Sequence, residues 1–195
     1  TPKPSSAASD VYKRQLLEGL NPTTLAKSRK SLADAEHIRQ AMEQDGAALC
    51  EFFAWLDSAL GRERITELTI DERLTAAREQ RPGYVSLSFN TIAAFNANGA
   101  MPHYHATPEE HAVIEGDGLL LIDSGGQYLG GTTDITRMVP VGTPSAEQKR
   151  DCTRVLKGVI ALSRAQFPRG ILSPLLDAIA LSLIHISEPT RPLYI

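Results

Sequence analysis

Between residues 31 and 60, apolar side chains return at intervals of three, four and seven: Ile38, Met42, Leu49, Phe53, Leu56 and Leu60. That periodicity predicts one long amphipathic helix with a single stripe turned to the core. Ser31 followed by Asp34 is its expected amino-terminal cap, Trp55 is expected to pack on the core near its end, and Gly61 is expected to stop it. A second helix is predicted from Thr69 to about Gln80, with Pro82 and Gly83 as the stop. Beyond it the pattern changes from helical to alternating. Residues 84–89 and 91–95 read as strands, 96–99 as a turn, 118–123 as a strongly apolar strand and 132–141 as its partner. Pro144 opens another long helix reaching Phe167. The run Pro168-Arg169-Gly170 breaks it, and residues 172–181 begin one more. Neighbouring strands joined by short turns predict an α+β fold, an antiparallel sheet with helices packed on one face. Strict β-α-β alternation is missing, which disfavours a parallel sheet.

Composition narrows the function classes. The 195 residues are 42% apolar and 22% charged, ordinary for a globular chain, and the net charge is −3. No basic face is suggested beyond the short Lys27/Arg29/Lys30 cluster, read as a solvated helix start, so no nucleic-acid partner is expected. No run approaches the roughly 18 apolar residues of a membrane span. The amino terminus is polar and Pro/Ser-rich rather than a secretory signal, so a cytoplasmic location is expected. Cys50 and Cys152 lie far apart in helical patterns and are expected to be reduced, buried thiols. Residues 1–15 carry no apolar period, and residues 182–195 break a helical pattern with two prolines. Both ends resemble translated adaptor sequence and are expected to be non-native, leaving 21–181 as the folded part.

The chemistry concentrates in two aspartates. Asp123 and Asp134 sum to 257, as do Tyr128 and Leu129, so a tight turn on the latter pair would set the carboxylates directly opposite each other. Carboxylates so placed repel unless a cation or shared proton intervenes, and hard divalent ions solve that problem. Acidic residues at hairpin mouths are also common as solvated turn residues. The apolar run ahead of Asp123 favours the metal reading, because a desolvated carboxylate without a partner is costly. Gly125, Gly126, Gly130 and Gly131 are expected to let the turn tighten. No Gly-Lys-Ser/Thr follows them, so they form no phosphate loop.

The segments 122–128 and 131–137 resemble the metal-binding hairpin of aminopeptidase P (Xaa-Pro aminopeptidase), one of the pita-bread metallopeptidases. Asn98-Gly99-Ala100 with His103-Tyr104 is similar to the same family's pattern. So are Asp45-Gly46-Ala47-Ala48-Leu49, Phe53-Ala54-Trp55-Leu56, Gly142-Thr143-Pro144 and Leu156-Lys157-Gly158. The resemblance runs from about Asn21 to Ile179 and implies a partial pita-bread fold. It implies two divalent metal ions, manganese in most members, held by two aspartates, one histidine and two glutamates. It also implies a peptide substrate with proline at its second position. Asp123 matches the aspartate that grips one metal with both oxygens, Asp134 the aspartate that bridges both, and His103 a non-ligand histidine of the substrate pocket. A homodimeric parent is a further family implication.

The histidine and glutamate ligand segments of the family have no counterpart in this sequence. The chain by itself is therefore expected to be inactive, to bind metal weakly and singly, and to expose apolar surface. The alternatives are a non-enzymatic pita-bread peptide-binding module, a prolidase-like dipeptidase and a creatinase-like hydrolase. Binding modules usually lose the paired aspartates and creatinases lack them, so Asp123 and Asp134 count against both. His105 is a candidate for the His103 face, with Tyr104 packing on the other. His37 reads as a surface residue, and His111 and His185 are given no role. Arg137 reads as a carboxylate partner or a solvent-facing strand residue, and Cys152 lacks a neighbour to activate it.

Overall fold

A computed structural model describes residue 19 and residues 21–185. The expected tails at 1–15 and, beyond His185, 186–195 lie outside the described residues. A short helix α1 (Pro22–Ser28) precedes the long helix α2 (Leu32–Ala59), which Ser31 caps in a reciprocal box with Asp34. The buried stripe of α2 is Ala41, Asp45, Ala48, Leu49, Phe52, Leu56 and Ala59. It lies about one residue round the helix from the expected stripe, so Met42 is exposed and Phe53 half-buried. Ala41 faces inward because the hairpin tip at Gly131 lies directly on it. Trp55 packs beside Phe52, and the Arg73 guanidinium lies 5.0 Å from its ring centre. Cys50 turns out to be exposed and Cys152 half-buried, both free, because neither falls on a core stripe.

Helix α3 (Glu67–Glu79) starts two residues before its expected position, capped by Thr66 in a box with Thr69. Its inward residues Glu67, Ile70, Leu74 and Arg78 recur at three and four. Strands β1 (Tyr84–Leu87) and β2 (Ile92–Phe95) follow, then a 3-10 turn over Asn96–Ala100 where a turn was expected. The remaining strands are β3 (Gly118–Ser124), β4 (Gly126–Tyr128), β5 (Gly131–Thr132) and β6 (Ile135–Val141). All pair antiparallel, in two three-stranded sheets ordered β1-β4-β5 and β2-β3-β6. Leu120, Ile122, Ala93, Phe95, Ile135 and Val141 turn one face of the second sheet onto Phe52, Leu56, Ile70 and Leu74. The α+β expectation, an antiparallel arrangement with helices on one face, therefore holds.

Two further helices end the described chain. Ser145 caps α4 (Ala146–Ser163) in a box with Gln148, and α5 (Ser173–His185) packs along α4, with Gly158 against the Ala180 backbone. Helix α5 runs four residues into the segment 182–195 that was expected to be non-native. Val155, Leu156, Val159, Ile160 and Leu175 are exposed on this helical pair, and Phe167 and Leu172 on the segment between, as expected of apolar surface left open. No described helix is long and apolar enough to cross a membrane.

Candidate metal centre

The hairpin that carries the two aspartates is offset from the register read in the sequence. Asp123 faces Thr136, not Asp134, and Tyr128 pairs with Gly131, so the reversal falls on Leu129 and Gly130. The physical cause is Tyr128. Its ring is buried, edge-on to Tyr84 with ring centres 5.7 Å apart, which makes it a strand residue while Leu129, 87% exposed, takes the turn; its hydroxyl donates to Asp45 Oδ1 at 2.9 Å. The turn glycines act differently from the expectation as well. None of the four has positive φ. Gly131 lets the tip lie on α2, where a Cβ would stand 3.1 Å from Ala41 Cβ.

Shifting the turn by one residue moves the register by two, and side chains repeat every two residues along a strand. Exposure alternates over Asp134, Ile135 and Thr136 as exposed, buried, exposed. Asp134 therefore shares a side with Thr136, whose hydroxyl donates to Asp123 Oδ1 at 2.8 Å. Both aspartates stand on the face turned away from the core, diagonal rather than opposed. Diagonal positions lie roughly 7–8 Å apart in an antiparallel pair. Asp123 Oδ2 and both oxygens of Asp134 accept no hydrogen bond among the described residues, so they are available to a ligand. Two hard carboxylate donors fit a divalent ion such as Mn2+ or Mg2+. No group of three or more His, Cys, Asp or Glu able to hold a metal exists among the described residues.

His103 lies in the exposed turn that follows the 3-10 turn, and His105 is exposed two residues on. The 3-10 turn packs over Leu121, since a Cβ on Gly99 would stand 3.8 Å from Leu121 Cβ. Leu121 and Asp123 alternate onto the same face of β3, so this segment leaves the sheet on the aspartate side. Tyr104 points inward as expected, whereas His111 Nδ1 lies 2.9 Å from the Thr107 carbonyl and is engaged locally. Arg137 is exposed and donates to the Thr136 carbonyl rather than to a carboxylate.

Two buried carboxylates behind this face were not foreseen as part of the site. Asp45 receives Arg78 Nε at 2.6 Å on Oδ1 and Arg78 Nη2 at 3.2 Å on Oδ2, with both side chains fully buried. Thr133 Oγ1 donates to Asp45 Oδ2 at 2.9 Å, and Arg78 Nη2 also donates to Ser124 Oγ at 3.1 Å. Burial, the Asp45 hydrogen bond and its charge push the Tyr128 phenol above its ordinary value. Glu67 accepts from the Phe95 and Ala112 backbone N–H groups, each at 2.7 Å, and from Asn98 Nδ2 and the Tyr104 hydroxyl. Burial, with Glu67 next, pushes the Tyr104 phenol up to about 12. A signal for both carboxylates existed in the sequence: Asp45 sits on the Ala41–Ala48–Phe52 stripe, and Glu67 and Arg78 end the Ile70–Leu74 stripe. A charge on an apolar helical stripe requires a partner.

Residues 36–189 match the sequence profile of Metallopeptidase family M24, and the chain belongs to that family. Within it, the chain is 40% identical over 171 residues to a probable Xaa-Pro aminopeptidase P of Chaetomium globosum, covering 87% of this chain and 27% of that protein. It superposes on the X-prolyl aminopeptidase of Caenorhabditis elegans, described as a cytosolic enzyme with a di-nuclear active site. The TM-score is 0.79 at 36% identity, over 84% of this chain and 27% of that one. A prolidase from Pyrococcus furiosus matches with TM-score 0.68 at 27% identity, over 80% of this chain and 43% of that one. The chain thus spans about a quarter of the length of these two aminopeptidase relatives.

Proposed function

We propose that this chain is part of a metal-dependent aminopeptidase that hydrolyses the amino-terminal Xaa-Pro bond of peptides. The observation that carries the reading is the placement of Asp123 and Asp134 on one open face of the second sheet, each with oxygens left free. The 40% identity to an Xaa-Pro aminopeptidase P and the di-nuclear relative support it. Asp123 and Asp134 would hold divalent metal, two ions in the whole protein, with manganese as the ion of choice. Bound there, such ions supply Lewis-acid polarisation of a carbonyl and acidification of water. His103, on a segment leaving the sheet on the same side, would orient substrate and exchange a proton with it through its imidazole. The buried carboxylates behind the sheet hold these segments in place.

The 195-residue chain supplies two carboxylates and no third ligand among its described residues. It is therefore inactive alone and binds one Mn2+ weakly. Manganese titrated calorimetrically into the chain should give weak single-site binding that Asp123→Asn abolishes. Tight two-site binding, or none, would contradict this. A prolidase-like dipeptidase is the second reading, supported by the superposition on the Pyrococcus enzyme. Peptides of two and of more residues, offered to the whole protein, separate the two. The cytoplasmic location and a homodimeric whole protein belong to the same proposal, the former supported by the cytosolic relative.

A further inference from the structure

We infer that the buried Asp45–Arg78 pair is a positioning device for the two metal-directed carboxylates, acting through Ser124 and Thr133. The inference rests on the metal reading of Asp123 and Asp134. Ser124 directly follows Asp123, and Thr133 directly precedes Asp134. Successive side chains of an extended chain point to opposite faces. Holding Ser124 and Thr133 inward therefore holds Asp123 and Asp134 outward. The path between the two anchors is continuous: Ser124 Oγ to Arg78, Arg78 to Asp45 through two bonds, and Asp45 to Thr133 Oγ1. A two-point guanidinium–carboxylate contact fixes direction as well as distance, so this path sets where one aspartate stands relative to the other.

The sheets alone do not fix that relation. Asp134 lies between Ser124↔Ile135, the end of one ladder, and Gln127↔Thr132 of the other. Around it the chain is tied by Thr133, whose N–H donates to the Gly126 carbonyl at 2.9 Å and whose hydroxyl accepts the Gly126 N–H at 2.8 Å. Nor does stability explain the pair. Well-packed apolar residues commonly replace a buried ion pair without loss, and here Arg78 Nη1 is left buried without a partner among the described residues. A role in geometry accounts for keeping it.

The test is the binding of Mn2+ alone, read from paramagnetic broadening of backbone amide signals at 123–125 and 133–135 in the full 195-residue chain. Ser124→Ala and Thr133→Val cut the two links. Tyr128→Phe keeps the buried ring and removes a hydrogen bond to Asp45 that is no part of that path, and Thr133→Ser keeps the hydroxyl. Ser124→Ala and Thr133→Val should each raise the Mn2+ concentration for half-broadening about tenfold, as loss of an outer-shell partner does. Tyr128→Phe and Thr133→Ser should titrate with the unsubstituted chain. Should Thr133→Val unfold, Ser124→Ala, which leaves no buried backbone donor open, decides alone. Unchanged binding in Ser124→Ala and Thr133→Val, or equal weakening in Tyr128→Phe, overturns the inference and leaves the metal reading standing. Amide signals of the unsubstituted chain that ignore Mn2+ overturn the metal reading, and the inference with it.

Discussion

Arg78 grips Asp45 through Nε at 2.6 Å and Nη2 at 3.2 Å, and neither side chain reaches solvent. Removing one partner of such a pair strands a charge in the core. Arg78→Met should therefore cost about 3–5 kcal/mol. Urea unfolding followed by Trp55, the single tryptophan, measures it. A loss below about 1 kcal/mol would mean that the pair is less buried than the geometry implies.

Glu67 is the second such anchor, an acceptor for four donors with no cation beside it among the described residues. Glu67→Ala orphans the Phe95 and Ala112 backbone N–H groups. Each orphaned donor costs about 1–3 kcal/mol, so a loss of several kcal/mol is expected. Glu67→Gln should fall between it and the unsubstituted chain, because an amide N–H would face a donor. Equal stability of all three chains would contradict the network.

Alkaline pH should loosen the fold through the tyrosines. Tyr104 is pushed up to about 12 and Tyr128 is raised as well, by burial first and then by a neighbouring carboxylate. The unfolded chain ionises its phenols near pH 10. Their contribution is therefore complete below about pH 10 and is lost as pH climbs through the folded values. Urea midpoints should decline across that window. In Tyr104→Phe the midpoint should start lower and decline less steeply.

Gly125 is where β3 gives way to β4, and a Cβ there would overlap the Thr133 carbonyl and Ser88 Oγ. Since a backbone atom is the obstacle, Gly125→Ala should displace the Thr133–Asp134 segment. Amide exchange at residues 132–135 should quicken while exchange in α4 stays unchanged. Equal protection in both chains would show that the hairpin absorbs a methyl.

The apolar face of α4 and α5 should make the chain self-associate. Sedimentation should show mass rising with concentration, and Leu156→Glu with Leu175→Glu, both exposed, should reduce it. A monomer at all concentrations would count against an adhesive face.

The local elements and the chemistry they carry are legible in the chain alone. Ser31 and Asp34 cap α2 because both partners of that box lie three residues apart, and the alternating runs became β1, β2, β3 and β6 because period and length are local properties. The Asp123–Asp134 pairing was legible in parity but not in register. Long-range packing set the register, because the residue that moved the turn, Tyr128, has its ring buried edge-on to Tyr84 and its hydroxyl on Asp45, 83 residues away. It also decided which face of α2 is buried, since the hairpin tip closes on Ala41 and the core on Phe52, leaving Met42 outside. The partners of Asp45, Glu67 and Arg78 were settled there too. Their stripes announced that charges must be matched, but only packing brings together donors from α3, β3 and β4, and from the backbone between them.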